Sequence, residues 1–211
     1  MDLRHRASDR KGAGRRRLRV PAAGLAVAAL ASAAAAVNVP KSRYSAITLA
    51  SCAEQAPAAA GRTWLCEGLP GYPVHIAERE GRYFVSAGGQ PETRRAALQS
   101  LGVPNTIFAR PAGRMTIEWR VRRAQTRDEP YATIVRYFTQ RPEGVPAGGR
   151  RGEVLVVSKV GPAETCQIAR IDALANPEAI SLARSAADEF AATFDCKSEP
   201  RIVGATGRSP M

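Results

Sequence analysis

The sequence predicts an α+β fold: an antiparallel meander of about six to seven short strands, one C-terminal helix packed on it, and two disulfides. Three observations predict it. Short apolar runs, alternating or continuous, are separated by turn residues about every ten positions, as in hairpin-linked strands. From Ile180 to Phe194 the apolar residues recur instead at spacings of 3, 4, 3 and 4, as on one face of a helix. The four cysteines, Cys52, Cys66, Cys166 and Cys196, all follow a basic and then apolar leader, and an even count in an exported chain reads as disulfides.

The leader takes half of the net charge. Residues 1–20 hold eight of the 31 basic and two of the 19 acidic residues, +6 of the formal +12, which leaves 23 basic and 17 acidic residues, again +6, for the rest. That remainder is spread without the dense stripe that nucleic acid requires, so no nucleic-acid partner is expected. A signal peptide is expected over residues 1–36, with a basic n-region at 1–19 and an Ala-rich h-region at 20–36. Ala31-Ser32-Ala33 and Ala34-Ala35-Ala36 both satisfy the small-x-small rule, placing the mature start between Ala34 and Asn38 and the protein in the periplasm or the secreted fraction. The alternative is an inner-membrane anchor formed by residues 20–37, and only in that form is the membrane a partner; about 18 apolar residues just span a bilayer, but alanine drives insertion weakly. Arg15-Arg16-Arg17 fits a twin-arginine signal without deciding the export route. Leu49-Ala50-Ser51-Cys52 is shaped like a lipobox, yet the eight residues between Arg43 and Cys52 include Tyr44, Ser45 and Thr48, too few and too polar for an h-region, and they alternate like a strand.

A single domain is expected over residues 37–196. Val74 to Glu78 and Arg82 to Ser86 flank Arg79-Glu80-Gly81, with Gly81 suited to a left-handed turn position, and read as a hairpin. Pro91 to Leu101, ended by Gly102, reads as a short surface helix. Met115 to Arg122 alternates, with Ile117, Trp119 and Val121 on a core face and Thr116, Glu118, Arg120 and Arg122 on a wet one. With Tyr131 to Thr139 as its hairpin partner, Glu118 should reach Arg136 in a salt bridge. Arg141 to Gly152 is a loop, and Val154 to Val157 has the two-sided apolarity of a central strand. Thr165 to Leu174 reads as a strand, followed by Asn176 as N-cap and Pro177 at the first helical position. On the helix Ile180, Ala183, Ala187, Phe190 and Phe194 form the stripe, while Arg184, Asp188 and Glu189 face water. The strand from Cys166 advances about 26 Å and the helix returns about 26 Å, which brings Cys196 level with Cys166. Those two should therefore pair, leaving Cys52 to Cys66. Residues 197–211 read as a disordered tail.

The segments GYPVHIAEREGRYFVSAG, RMTIEWRV, YATIVRYFTQ, GEVLVVSKVGPAETC and IDALANPEAISLARSAADEFAATFDC together resemble a family of uncharacterised exported bacterial proteins with four cysteines, over about residues 44–196. The resemblance implies one domain with two disulfides. It implies no catalytic residue or ligand.

For chemistry, the chain beyond the leader has one histidine, His75, set in an alternating strand. Ser86 and Ser158 lack a nucleophile-elbow context, and no phosphate or dinucleotide loop occurs; Gly148-Gly149-Arg150-Arg151-Gly152 lacks the Lys-Ser/Thr that would hold phosphate and metal. Oxidised cysteines offer no thiolate, and their spacing does not suit zinc. Neither cofactor nor metal nor catalytic residue is assigned. Glu67, Glu78, Glu118, Asp172 and Glu189 are the carboxylates from which a glycosidase pair would have to come. The expected function is a non-catalytic periplasmic or secreted binding or envelope module, its partner an acidic envelope protein or an anionic polymer met by Arg120, Arg122, Arg123 and Arg127 near Trp64, Tyr72 or Tyr131. The alternatives are an envelope hydrolase with paired carboxylates and an inhibitor of a cell-wall hydrolase.

Overall fold

A computed structural model describes residues 39–55, 61–124, 126–140 and 151–211. The expected signal peptide, most of the Ala-rich loop before Gly61 and nearly all of the loop from Arg141 lie outside them. The described residues belong to one compact unit, Val37–Met211.

Alternating runs become strands and punctuating glycines become turns. After β1 (Lys41–Ile47) and the short β2 (Ala53–Glu54) come β3 (Arg62–Leu69), β4 (Tyr72–Arg79) and β5 (Arg82–Ala87). The β4–β5 hairpin turns on Glu80 and Gly81, both at positive φ (51° and 68°), with Arg79 opposite Arg82. That is the two-residue turn whose twist matches paired strands, one residue tighter than expected. Then follow β6 (Asn105–Thr106), β7 (Met115–Ala124), β8 (Arg127–Thr139), β9 (Gly152–Val160), β10 (Thr165–Asp172), α1 (Ala179–Phe190) and β11 (Arg201–Ile202).

The strands make two sheets, the smaller ordered β2-β3-β4-β5 and the larger β1-β7-β8-β9-β10-β11, with β6 also on β8. All ladders are antiparallel except β10 with β11. Alternation explains the layering. Ile117, Trp119 and Val121 of β7 and Val135 and Tyr137 of β8 pack with Trp64, Val74, Ile76 and Val85 of the small sheet. The opposite face presents Ile134, Leu155, Val157, Ile168 and Ile171 to α1. The large sheet is thus covered on both sides, and β9 at its centre is apolar on both faces, as such strands must be.

Both disulfides close as expected, Cys52 with Cys66 and Cys166 with Cys196, the latter pair with Cα atoms 5.7 Å apart. Around the second bridge α1 lays Ala183, Ala186 and Ala187 flat on the sheet, with Ile180 and Phe190 at the margins and Phe194 just beyond the helix. Alanines permit this close approach because they add no bulk between helix and sheet.

Four expectations are corrected. Pro91 to Leu101 is not a helix but two 3-10 turns, Pro91–Thr93 and Arg95–Leu98, parted by Arg94 in extended conformation. Arg94 is drawn away from helical geometry by donating to the carbonyls of Gly89 and Pro162, both at 3.0 Å. Asn176 does not cap α1 with its side chain: its Nδ2 donates to Asp172 O and Ala205 O, its Oδ1 accepts from Ala205 N, and the helix begins at Ala179. The residues after Lys197 are ordered, because the Asp172 carboxylate accepts the Arg208 and Ser209 amides, each at 2.8 Å, and the Ser209 hydroxyl at 2.6 Å. A terminal segment tied this way does not fray. Burial alone would raise the Asp172 pKa, but these Ser209 and Arg208 donors hold it below the ordinary carboxylate value. Finally, Glu118 lies opposite Ile134, and Arg136 binds Glu153 of β9 instead (2.5 Å).

Candidate functional site

Of the four β7 residues expected to be wet, Thr116 and Arg122 are exposed, but Glu118 and Arg120 lie under α1. Glu118 and Arg120 are 5% and 7% exposed, and two unscreened charges at such depth require partners. The helix supplies them. Arg184 donates Nε to Glu118 Oε1 (2.7 Å) and Nη2 to Oε2 (3.2 Å), and Arg120 donates Nε and Nη2 to the two oxygens of Asp188 (2.9 and 2.7 Å). The fit comes from matched repeats: two residues of strand advance about 6.6 Å and four of helix about 6 Å, so a minus-plus pair on β7 meets a plus-minus pair on α1. Ser42 of β1 joins the halves, its hydroxyl donating to Glu118 (2.5 Å) and accepting from Arg120 Nη1 (2.7 Å). Tyrosines close both ends: Tyr44 OH accepts from Arg184 (3.0 Å), and Tyr131 OH donates to Asp188. This pairing is the signal that reading β7 and α1 separately missed.

The electrostatics keep the cluster paired as a clasp between β7 and α1. Hydrogen bonding to Asp188 raises the Arg120 pKa, and bonding to Glu118 raises that of Arg184, so both remain cations. Burial and the bond to Asp188 push the Tyr131 phenol up to about 12, which keeps it a donor at neutral pH. The two Asp188 oxygens accept from the Arg120 guanidinium and one of them also from the Tyr131 phenol.

The four sequence-predicted arginines are therefore not one surface. Arg120 is inside the clasp, with its guanidinium consumed. Arg122, Arg123 and Arg127 are exposed at the end of the β7–β8 hairpin, where Arg122 lies over the Tyr131 ring at 4.3 Å, Arg123 is 3.6 Å from Asp128 and Arg127 is 3.4 Å from Glu129. Exposed Lys41 and Arg43 of β1 stand at the same end, Arg43 bonded to Asp128 at 2.7 Å. Of the expected aromatic neighbours only Tyr131 takes part. Trp64 is buried in the small sheet and Tyr72 packs edge-on against Trp119 at 6.4 Å.

Two concavities accompany these groups. A cavity of about 270 Å³ is bounded by Pro40, Arg122, Tyr131, Asp188 and Ala192, beside the clasp. A groove of about 570 Å³ runs along β3 where it outlasts β2, lined by Leu65, Glu67, Leu69, Tyr72 and Pro73 among others. The sequence-level carboxylates are scattered: Glu118 in the clasp, Asp172 on the C-terminal segment, Glu78 accepting the Gly81 amide at 3.0 Å, Glu67 in the groove and Glu189 exposed on α1. His75 and Ser86 are directly opposite on β4 and β5 and are both buried. Ser158 is buried in β9. Among the described residues no group of three His, Cys, Asp or Glu side chains is arranged to hold a metal ion. Compared with family models, with curated proteins and with solved structures, the chain matches none.

Proposed function

We propose that this protein is a non-catalytic binding module of the bacterial envelope, periplasmic or secreted, and that its partner is anionic. The observation that carries the reading is the hairpin end, where Lys41, Arg43, Arg122, Arg123 and Arg127 gather around Asp128 and Glu129, while the ionisable groups behind them are held in the clasp. Five cations against two acids leave an excess of three positive charges at one end of the large sheet, enough to attract an acidic surface over a Debye length. Two disulfides suit an oxidising compartment. The engagement of Glu118 and Asp172 in structural bonds weighs against a hydrolase built on paired carboxylates.

The test is retention on an immobilised polyanion such as polyglutamate, with elution by salt. The native protein is expected to be held at low salt and released as salt rises, and R122E/R127E to pass through. Equal retention of the two proteins would overturn the reading.

A further inference from the structure

The hairpin end is also where the described chain begins. Lys41 pairs with Val121, and beyond that register β7 and β8 continue alone through Arg122 opposite Glu129, Arg123 opposite Asp128 and Ala124 opposite Arg127. Three further residue pairs carry the tip about 10 Å past the start of β1. Pro40 bounds the same cavity as Arg122 and Tyr131, so the first described residues lie alongside these cations. In the sequence, the residues just before it, 20–37, are uncharged and Ala-rich.

We infer that the anionic partner is the phospholipid surface of the bilayer across which the chain is exported, met by Arg122, Arg123 and Arg127 together with Lys41 and Arg43. The inference rests on the anionic-partner reading and names its ligand as lipid headgroup phosphate. Three features favour it. The cations stand at the tip of a projecting hairpin, a shape that can meet a plane. They adjoin Pro40, which only two residues separate from the apolar run 20–37 in the sequence. Arginine forms forked bonds to phosphate oxygens, and headgroup phosphates can displace the solvent-exposed contacts that Arg123 and Arg127 make at 3.6 and 3.4 Å. The far end of β7 gives an internal control: exposed Arg110 and Arg114 precede Met115, nine residues or about 30 Å from Ala124.

The experiment is co-sedimentation of the protein, in the form the cell exports, with phosphatidylcholine vesicles with and without about one third phosphatidylglycerol. Binding is expected only with the anionic lipid and is expected to disappear at about 0.5 M salt. R122E/R127E should weaken it by about tenfold or more, and R110E/R114E, with the same change of net charge, by much less. Three results would overturn the inference: binding to uncharged vesicles alone, equal effects of the two double variants, or polyanion retention without vesicle binding. The last leaves the anionic-partner reading standing. Failure on both supports removes both.

Discussion

His75 is the residue whose environment sets the plainest pH dependence. Its side chain is 4% exposed on β4, opposite Ser86, and neither its Nδ1 nor the Ser86 hydroxyl finds a protein partner. Burial lowers its pKa, with Glu92 acting in the opposite sense and Arg79 in the same one. The folded form therefore binds the proton less well than the unfolded chain. Stability attributable to His75 is full above the unfolded pKa of about 6.5 and is lost as pH falls through and below it, because the unfolded state then gains protons the folded state resists. Denaturant midpoints measured between about pH 5 and 8 should fall on the acid side, and His75→Leu should flatten that part of the curve. An unchanged slope in the variant would show that another group carries it. The sequence showed a lone strand histidine but not its depth, because alternation identifies two faces of β4 without saying that the turns at Pro91–Leu98 cover the second one.

At the scale of elements, the clasp between β7 and α1 decides how the helix sits. Arg120→Met leaves Asp188 without its cation and should cost about 1 to 2 kcal/mol in urea unfolding, less than halving a fully buried pair because water reaches the Asp188 side chain, which is 29% exposed. Adding Asp188→Leu should recover part of that loss; a strictly additive double variant would mean that the two side chains do not interact. The same elements show what periodicity can and cannot reveal. The alternation of Ile117, Trp119 and Val121 correctly marked the face turned to the small sheet, since apolar residues at every second position have no other stable placement. The polar positions between them, Glu118 and Arg120, are buried as well. Periodicity distinguishes the two faces, but only complementarity with Arg184 and Asp188 indicates that the polar one is covered, and that information lies more than 60 residues away in the chain. The expected pair of Glu118 with Arg136 failed for a related reason. Both sit on one face of the sheet, but nearer opposite charges on α1 and β9 satisfy each of them.

For the whole molecule, the strand-helix return was legible because equal lengths leave Cys166 and Cys196 level, and that bridge closes as the lengths require. The sandwich was not legible. Its defining pairing joins β1 to β7, Tyr44 opposite Glu118, and no local pattern encodes a partner at such separation. The order of the C-terminal segment was hidden likewise, because it depends on Asp172 rather than on any strong signal of its own. Removing the second bridge as Cys166→Ala with Cys196→Ala should cost about 3 to 4 kcal/mol and lower the Tm by roughly 10 °C, with far-ultraviolet circular dichroism largely retained. A change of a degree or less would show that the clasp alone seats α1.

The bridges join neighbours in the chain, first cysteine to second and third to fourth, across separations of 14 and 30 residues. A chain oxidised from its N-terminal end forward meets Cys66 while Cys166 is still 100 residues away. Simple order of arrival then favours the native connectivity, because each cysteine's partner is also its nearest neighbour among the cysteines along the chain.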